Sequence, residues 1–354
     1  MGAGDLIKAL YLSEYAMRIN CPSCHSTYHI PDKRIPVGKE IVFPCPACKK
    51  GLLKANLKSK SFKERSVQAR ELPRGKELKK KILRSTYNLP AMPQIVPKAR
   101  EIIADPVSSI KDLVRLIESD QSIAARALKL ANSAYYGLSG KVSSIQHACV
   151  LLGYKSLGEL ITIAATSTLM GGTLKGYEAD SGDLWRHSLA VAIGSTIIAE
   201  KQHPGLVNDA LVAGLLHDAG KIILDPYILE RKEAFEAFLS DGLKTFLHAE
   251  KEILGFDHSA IASDICKIWR LPQAISTAIK YHHKPSASHK DELSYVCHMA
   301  DVIAMMVDLG TGVDDVLYQM DEGVMEFLAL REEDVSRIMN KVADRTKKIT
   351  QDVL

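Results

Sequence analysis

The sequence lacks any uninterrupted hydrophobic run of the roughly 18 residues that a membrane-spanning helix requires. Its first 16 residues also lack the apolar core and small-residue cleavage site of a secretory signal peptide. From these two absences we expect a cytoplasmic protein with no membrane partner. The composition is that of an ordinary globular protein, with 46% hydrophobic and 25% charged residues. At 354 residues, the chain is long enough for two or three domains.

Aromatic residues are scarce where positive charge is densest. Residues 54–84 hold 12 Lys and Arg against 3 Asp and Glu, whereas residues 85–354 have a net charge of −8. Such a basic segment on an acidic body can bind nucleic acid. Only one aromatic residue, Phe62, lies in this stretch, so no platform for stacking bases is evident. A solvated, mobile linker over residues 54–81, with helical stretches, is the simpler interpretation.

Four of the seven cysteines form two C-x-x-C pairs near the N-terminus. They are Cys21, Cys24, Cys45 and Cys48. Each pair makes a tight turn that directs two thiolates toward one point, and strand-like segments at 27–30 and 40–43 predict a hairpin between the pairs. Four thiolates complete a tetrahedral shell, so the spacing predicts a structural Zn²⁺ and not a catalytic one. Two disulfides or a redox motif are alternatives, which a cytosolic setting and the lack of a βαβ pattern disfavour.

The remainder of the chain, residues 82–354, shows helical periodicity almost throughout and few alternating β-branched runs. We therefore expect an all-α architecture. Apolar residues recur at spacings of three and four over Ile110–Glu118 and over residues 122–130, and Asp105 and Asp120 have the character of helix-start signals. Three cysteines lie singly in apolar contexts and are expected to be buried, namely Cys149, Cys266 and Cys297.

Histidines and aspartates with apolar neighbours recur along this helical body. They are His187, His217, Asp218, His258, His282, His283 and Asp301. A single histidine in an apolar helix is more often an ordinary core residue. Ionisable groups are costly to bury unless they are paired or bound to metal, so a set this large predicts a common site. Imidazole and carboxylate ligands suit divalent iron, manganese, zinc or nickel.

The N-terminal segment resembles the short zinc ribbons found at the start of many bacterial proteins. The likeness rests on Met17-Arg-Ile-Asn-Cys-Pro-Ser-Cys24 and on Phe43-Pro-Cys-Pro-Ala-Cys48. It implies a zinc ribbon over residues 17–53, with residues 1–16 as an N-terminal extension. Because such ribbons commonly open with Met, a basic residue and Ile, Met17 is an alternative start to Met1.

The helical body resembles the HDOD domain, a bacterial signalling output domain related to the HD phosphohydrolases. The motifs that carry the resemblance include Leu89-Pro-Ala-Met-Pro93, Leu130-Ala-Asn-Ser-Ala-Tyr-Tyr-Gly137, Leu184-Trp-Arg-His187 and Gly214-Leu-Leu-His-Asp-Ala-Gly-Lys221. It implies an N-terminal helical half at 82–175, an HD-like half at 176–310, and added C-terminal helices at 311–354.

The resemblance also implies roles for individual residues. In HD phosphohydrolases the first metal is held by an H…HD…D set, which here is His187, His217, Asp218 and Asp301. His258, His282 and His283 lie where two-metal members of the superfamily place further ligands. Lys221 matches the lysine that contacts phosphate, so Lys221 and Asp218 are the catalytic candidates if the protein is an enzyme. The Gly-Tyr-Pro loop of cyclic-di-GMP hydrolases is missing, which disfavours that substrate.

Three functions remain open from the sequence. The first is a signal-transduction module with a retained site for one or two metals, acting on a signalling protein partner or a nucleotide ligand. The second is a metal-dependent phosphohydrolase acting on a phosphomonoester or a phosphodiester. The third is a nucleic-acid-binding regulator that uses the ribbon and the basic linker, for which we expect steep salt dependence.

Overall fold

The chain forms two compact units, Met1–Leu72 and Pro73–Leu354, in a computed structural model. The described part of the chain comprises residues 16–20, 27–31, 40–44, 48, 52–56, 72–85, 95–138, 140–240, 244–310 and 320–353. The division between the units falls inside the stretch interpreted as a linker, and the end of that stretch is helical. The boundaries expected at residues 53, 81 and 310 stay predictions.

Four short strands of the first unit form two antiparallel hairpins. Strand β1 (Ala16–Asn20) pairs with β2 (Thr27–Pro31), and β3 (Glu40–Pro44) pairs with β4 (Leu52–Asn56). The two strand-like segments are thus strands. The predicted hairpin of β2 with β3 is wrong for the described residues. Instead, β2 pairs with β1 and β3 pairs with β4, and one C-x-x-C pair lies between the two strands of each hairpin in the sequence.

The predicted zinc ligands lie between the paired strands in the sequence. Cys48 lies in a turn, while Cys21, Cys24 and Cys45 lie outside the described residues. The structural zinc and the ribbon therefore stay predictions.

The described residues of the second unit are helical, apart from one isolated bridge between Leu174 and Ala179. The first five helices are α1 (Gly75–Ser85), α2 (Ile95–Ala104), α3 (Ile110–Glu118), α4 (Gln121–Ala131) and α5 (Ile145–Met170). Asp120 caps α4 as predicted, because its carboxylate accepts from two backbone N–H groups of the first turn. Asp105 starts no helix: it follows the end of α2, and Ser109 is the N-cap of α3.

Helix α5 is a core helix with a break at Gly153. The φ of Gly153 is 82°, which lies outside the right-handed helical region and favours glycine. By length and composition α5 is apolar enough to cross a membrane. More than half of its most apolar 18-residue stretch is buried inside the protein, as expected of a helix that packs in a domain core. The cytoplasmic location stays a prediction.

The second half of this unit surrounds the candidate site. Its helices are α6 (Asp183–Gln202), α7 (Val207–Leu216), α8 (Ala219–Leu229), α9 (Lys232–Leu239), α10 (Phe246–Ala249), α11 (His258–Ile268), α12 (Gln273–Tyr281), α13 (Glu292–Met306), α14 (Val324–Phe327) and α15 (Glu332–Val353). Helices α6, α7 and α13 pack against one another, and α11 packs on α8 and α12. Glycine permits the close approach of α7 to α6, because a Cβ at Gly214 would collide with the backbone of Ala192.

Candidate metal centre

The fold brings the seven histidines and aspartates singled out in the sequence to one place. His187 lies early in α6, His217 and Asp218 join α7 to α8, His258 begins α11, His282 and His283 follow α12, and Asp301 lies in α13. Six of the seven side chains are buried, and His283 is half-buried. The cluster is therefore part of the core and not a surface collection of polar groups.

One group of donor atoms surrounds His187. Its Nε2 lies 3.1 Å from His217 Nε2 and 3.2 Å from Asp301 Oδ1. Asp218 Oδ2 lies 3.5 Å from His217 Nε2 and 3.7 Å from His187 Nε2. These separations are close to those between neighbouring ligands of a single ion bound at about 2.0–2.2 Å.

A second group shares Asp218 through its other oxygen. Asp218 Oδ1 lies 3.1 Å from His258 Nε2 and 3.9 Å from His282 Nε2. His258 Nε2 lies 2.8 Å from His283 Nε2. All four donor atoms of this group are within 4.8 Å of one another. Asp218 thus faces two adjacent sets of donors, one with each carboxylate oxygen.

Hydrogen bonds to carbonyl oxygens fix the orientation of three of the imidazoles. The Nδ1 atoms of His187, His217 and His282 lie 2.8, 2.8 and 2.7 Å from the carbonyl oxygens of Leu309, Gly214 and Ile279. A carbonyl only accepts, so each Nδ1 must carry the proton. In the neutral ring, Nε2 then presents its lone pair to the cluster, which is how metal-binding histidines are usually oriented.

Glu250 orients the fourth imidazole. It is fully buried in the π-helical turn Glu250–Leu254, and its Oε2 lies 2.8 Å from His258 Nδ1. The same carboxylate accepts from the backbone N–H of His258 at 2.8 Å and from the Tyr177 hydroxyl at 2.5 Å. His258 is therefore held from behind by a carboxylate, with Nε2 directed at Asp218.

Lys221 completes the cluster on the α8 side. Its Nζ lies 2.7 Å from Asp218 Oδ2, and its side chain is 9% exposed. An ammonium at this point reduces the cost of burying the Asp218 carboxylate.

Two buried atoms of the cluster have no hydrogen-bond partner among the described residues: Asp218 Oδ1 and His282 Nε2. His258 Nε2 approaches Asp218 Oδ1 at 3.1 Å without hydrogen-bond geometry. A buried acceptor left without a hydrogen bond costs about 1–3 kcal/mol. For Asp218, the ion pairs with His258 and Lys221 offset part of that cost. A cation between these atoms removes the cost, and nitrogen and carboxylate donors fit a divalent transition metal. The cluster could therefore hold a metal ion.

The protonation states of three donors favour metal binding. Burial lowers the pKa of His217, and burial with the neighbouring His217 lowers the pKa of His282 to about 3. Burial opposes ionisation of Asp218, but Lys221 and His217 outweigh it and hold the pKa of that carboxyl well below its usual range. These three residues are in the neutral imidazole and carboxylate forms that bind metals.

Neighbouring carboxylates favour protonation of two other histidines. Burial disfavours the imidazolium of His258, yet Glu250 and Asp218 raise its pKa to about 10. Against the same effect of burial, Asp301 raises the pKa of His187. Positive charge is therefore favoured at both imidazoles.

Gly220 determines how closely two helices of the centre approach. It lies in the first turn of α8. A Cβ at Gly220 would collide with the carbonyl group of His258. The glycine thus lets α8 approach α11 closely enough for His258 to reach Asp218.

The sequence did not single out two residues that orient the cluster. Glu250 is one, and only its eight-residue distance from His258 could have suggested it. His298 is the other: its Nδ1 donates to the carbonyl of His282 at 2.5 Å, and its Nε2 accepts from the Asp321 N–H at 3.0 Å. His298 therefore holds the backbone that carries His282 and His283.

Residues 89–285 match the sequence profile of the HDOD domain. That region is more than half of the chain, so the chain belongs to the HDOD family. A helical core is common to this family and to the described residues of the second unit, which confirms the all-α expectation for that unit.

Three known proteins are similar to this chain. An uncharacterized protein of Treponema pallidum (strain Nichols) is 23% identical over 206 residues, which cover 55% of this chain and 38% of the relative's own length. The solved structure of an HDOD domain protein with unknown function from Geobacter sulfurreducens is 25% identical, with a TM-score of 0.61, covering 76% of this chain and 97% of that one. A protein of Shewanella amazonensis SB2B, provisionally named a phosphohydrolase, is 22% identical, with a TM-score of 0.60, covering 77% and 98%.

Proposed function

We propose that this chain is a bacterial signal-transduction protein of the HDOD family whose metal centre serves a regulatory role. The observation that carries the proposal is the burial of the cluster. His187, His217, Asp218, His258, His282 and Asp301 each expose 2% or less of their surface. Such a centre can bind ions that stabilise the packing of the six helices that meet here, but its donors are not open to a large substrate in this conformation.

Two ions fit the arrangement of donors. His187, His217, Asp301 and Asp218 Oδ2 would hold the first, and His258, His282, His283 and Asp218 Oδ1 would hold the second. Iron, manganese, zinc and nickel are the candidates. Ions at these positions would neutralise the charge of Asp218 and Asp301 and would compete with protonation of His187 and His258. The helices that meet here would then be joined by coordination bonds.

A metal-dependent phosphohydrolase is the second candidate, favoured by one specific observation. Lys221 lies 2.7 Å from Asp218, where an ammonium could stabilise the negative charge that develops on a phosphoryl group. Bound metal would supply an activated water there. Lys221 and Asp218 would be the residues that act in turnover, which requires the site to open.

The first unit fits the regulatory proposal as a partner-binding element. We propose that the two hairpins form a zinc ribbon held by the two C-x-x-C pairs, and that it contacts a signalling protein. The basic residues between the ribbon and the HDOD domain make nucleic acid a further candidate partner.

Metal analysis of purified variants tests the proposal. We expect wild-type protein to hold one ribbon zinc and up to two ions in the cluster, with the cluster ions lost in Asp218→Ala and retained in His203→Ala. His203 is a suitable control because it is a histidine of the same half that pairs with Glu292 at 2.9 Å, away from the cluster. Equal metal content in wild type and Asp218→Ala would refute the proposed centre.

An activity screen separates the two candidates. The regulatory proposal expects no hydrolysis of phosphomonoester or phosphodiester substrates by wild-type protein loaded with manganese, iron or nickel. Turnover that depends on Asp218 and Lys221 would instead establish the phosphohydrolase.

A further inference from the structure

A cleft lined by residues of α11 and α12 lies outside the metal centre. The cleft has a volume of about 560 Å³ and runs between α11, α12 and the turn that follows residue 285. Its volume is in the range of small-molecule sites in proteins, about 300–1,000 Å³. None of the metal-centre residues lines it, so it is separate from the site described above.

The cleft is basic. Lys267 and Lys280 contribute ammonium groups, His289 lies at its end, and no acidic residue is among the described residues that line it. The nearby carboxylate of Asp264 is neutralised by Lys79 at 2.7 Å and by Lys267 at 3.1 Å. An anion in the cleft would therefore meet an excess of positive charge.

The cleft also presents uncharged polar groups. Ser263 lines the cleft and is 2% exposed. Thr277 and Gln273 line the same wall. The hydroxyls and the amide of these residues can hydrogen-bond a ligand with polar atoms.

Helix α12 adds to the attraction for an anion. Gln273 is its first residue, so the N–H groups at this helix end and the positive end of the helix dipole lie at the cleft. Lysine ammonium groups, hydroxyls and a helix N-terminus are the groups with which proteins bind phosphate.

We propose that this cleft binds a phosphorylated small molecule of about nucleotide size. The proposal rests on the regulatory function above, for which it locates the ligand site. The ligand is a small molecule and not a nucleic-acid strand, because the cleft has a volume of about 560 Å³ and is confined to α11, α12 and the turn after residue 285.

The location connects the ligand to the metal centre. Helix α11 carries Ser263 and Lys267 in the cleft and begins with His258 in the cluster. Helix α12 carries Thr277 and Lys280 in the cleft and leads directly to His282. The same two helices thus join both sites, as a regulatory module requires.

Calorimetric titration of the full chain with pyrophosphate and with GTP tests the proposal. We expect both probes to bind, with affinity at least 10-fold lower in the double variant Lys267→Gln/Lys280→Gln and severalfold lower in Ser263→Ala. Lys232→Gln is the matched control and should bind as wild type. Lys232 is a half-exposed lysine that pairs with Glu236 on α9.

Three results would overturn the proposal. They are no binding of either probe at millimolar concentration, unchanged binding in the cleft variants, or binding of a single-stranded oligonucleotide alone. If Lys221→Ala weakened binding and the cleft variants did not, the probes would be bound at the metal centre, which also overturns it. The titration needs no metal in the cluster, so loss of the metal-centre proposal would leave this test intact.

Discussion

The carboxylate behind His258 offers the sharpest test of the metal centre. Glu250→Gln keeps the size of the side chain but removes its charge and one of its acceptor oxygens. Three donors depend on that carboxylate: the Nδ1–H and backbone N–H of His258, and the Tyr177 hydroxyl. The substitution should leave the rest of the cluster in place while it weakens the hold on one imidazole.

The expected effect is confined to one of the two ions. Loss of a partner that orients a metal-binding histidine typically lowers metal affinity 10–100-fold, or about 1.4–2.8 kcal/mol. The ion between His258, His282 and His283 should weaken by that factor. The ion beside His187 does not depend on Glu250 and should be retained.

Competition with a fluorescent chelator measures both affinities, and elemental analysis after dialysis gives the number of ions. Tyr177→Phe is the matched control, because it removes one donor to Glu250 and keeps the carboxylate, so its effect on affinity should be smaller. Unchanged affinity for both ions in a folded Glu250→Gln variant would refute the role of Glu250. Loss of both ions with an unchanged melting temperature would refute the division into two sets of donors.

Three further predictions follow from packing and charge. Gly220→Ala should lower the melting temperature and the metal content together, because the added methyl group would collide with the carbonyl of His258 and overpacking typically costs about 1–3 kcal/mol. Gly205→Ala, where a Cβ would have open space, is the control. Equal melting temperatures for the two variants would contradict the reasoning. Asp334→Asn should lower the melting temperature at pH 7 but not near pH 2. A hydrogen bond from Lys201 lowers the pKa of Asp334 to about 2, so the stabilisation by the Asp334 carboxylate is lost as the pH falls from about 4 through about 2. A difference in melting temperature from wild type that persists at pH 2 would show another cause. Thiol titration after zinc removal should find four reactive cysteines in the folded protein and seven after unfolding, since three are buried and burial raises the pKa of Cys266 to about 12; more than four before unfolding would be inconsistent with the fold.

Much of the fold could be predicted from periodicity. The pattern over Ile110–Glu118 matched helix α3, and the cap at Asp120 was correct because capping depends on neighbouring residues only. Asp105 was misread because an aspartate also stabilises a turn after a helix, and here its carboxylate accepts from the N–H of Val107. Local sequence does not distinguish these two uses.

The membership of the cluster was also accessible from the sequence. Ionisable residues such as His187 and Asp301 are costly to bury in an apolar helix unless they are paired or bound to metal. Each one is therefore a candidate ligand even when the helix axes are unknown. Whether His258, His282 and His283 converge with the others depends on how α11 and α12 cross α8. No local pattern encodes that crossing.

The sequence by itself determined the helical class of the body, the donor types of its candidate centre and the uneven distribution of charge, because these follow from composition and short-range periodicity. The tertiary structure alone decided that the two oxygens of Asp218 face different groups of histidines and that Glu250 lies behind His258. It also decided that Ser263 lines a cleft together with Lys267 and Lys280. These relations join residues far apart in the chain, and the packing of helices sets them.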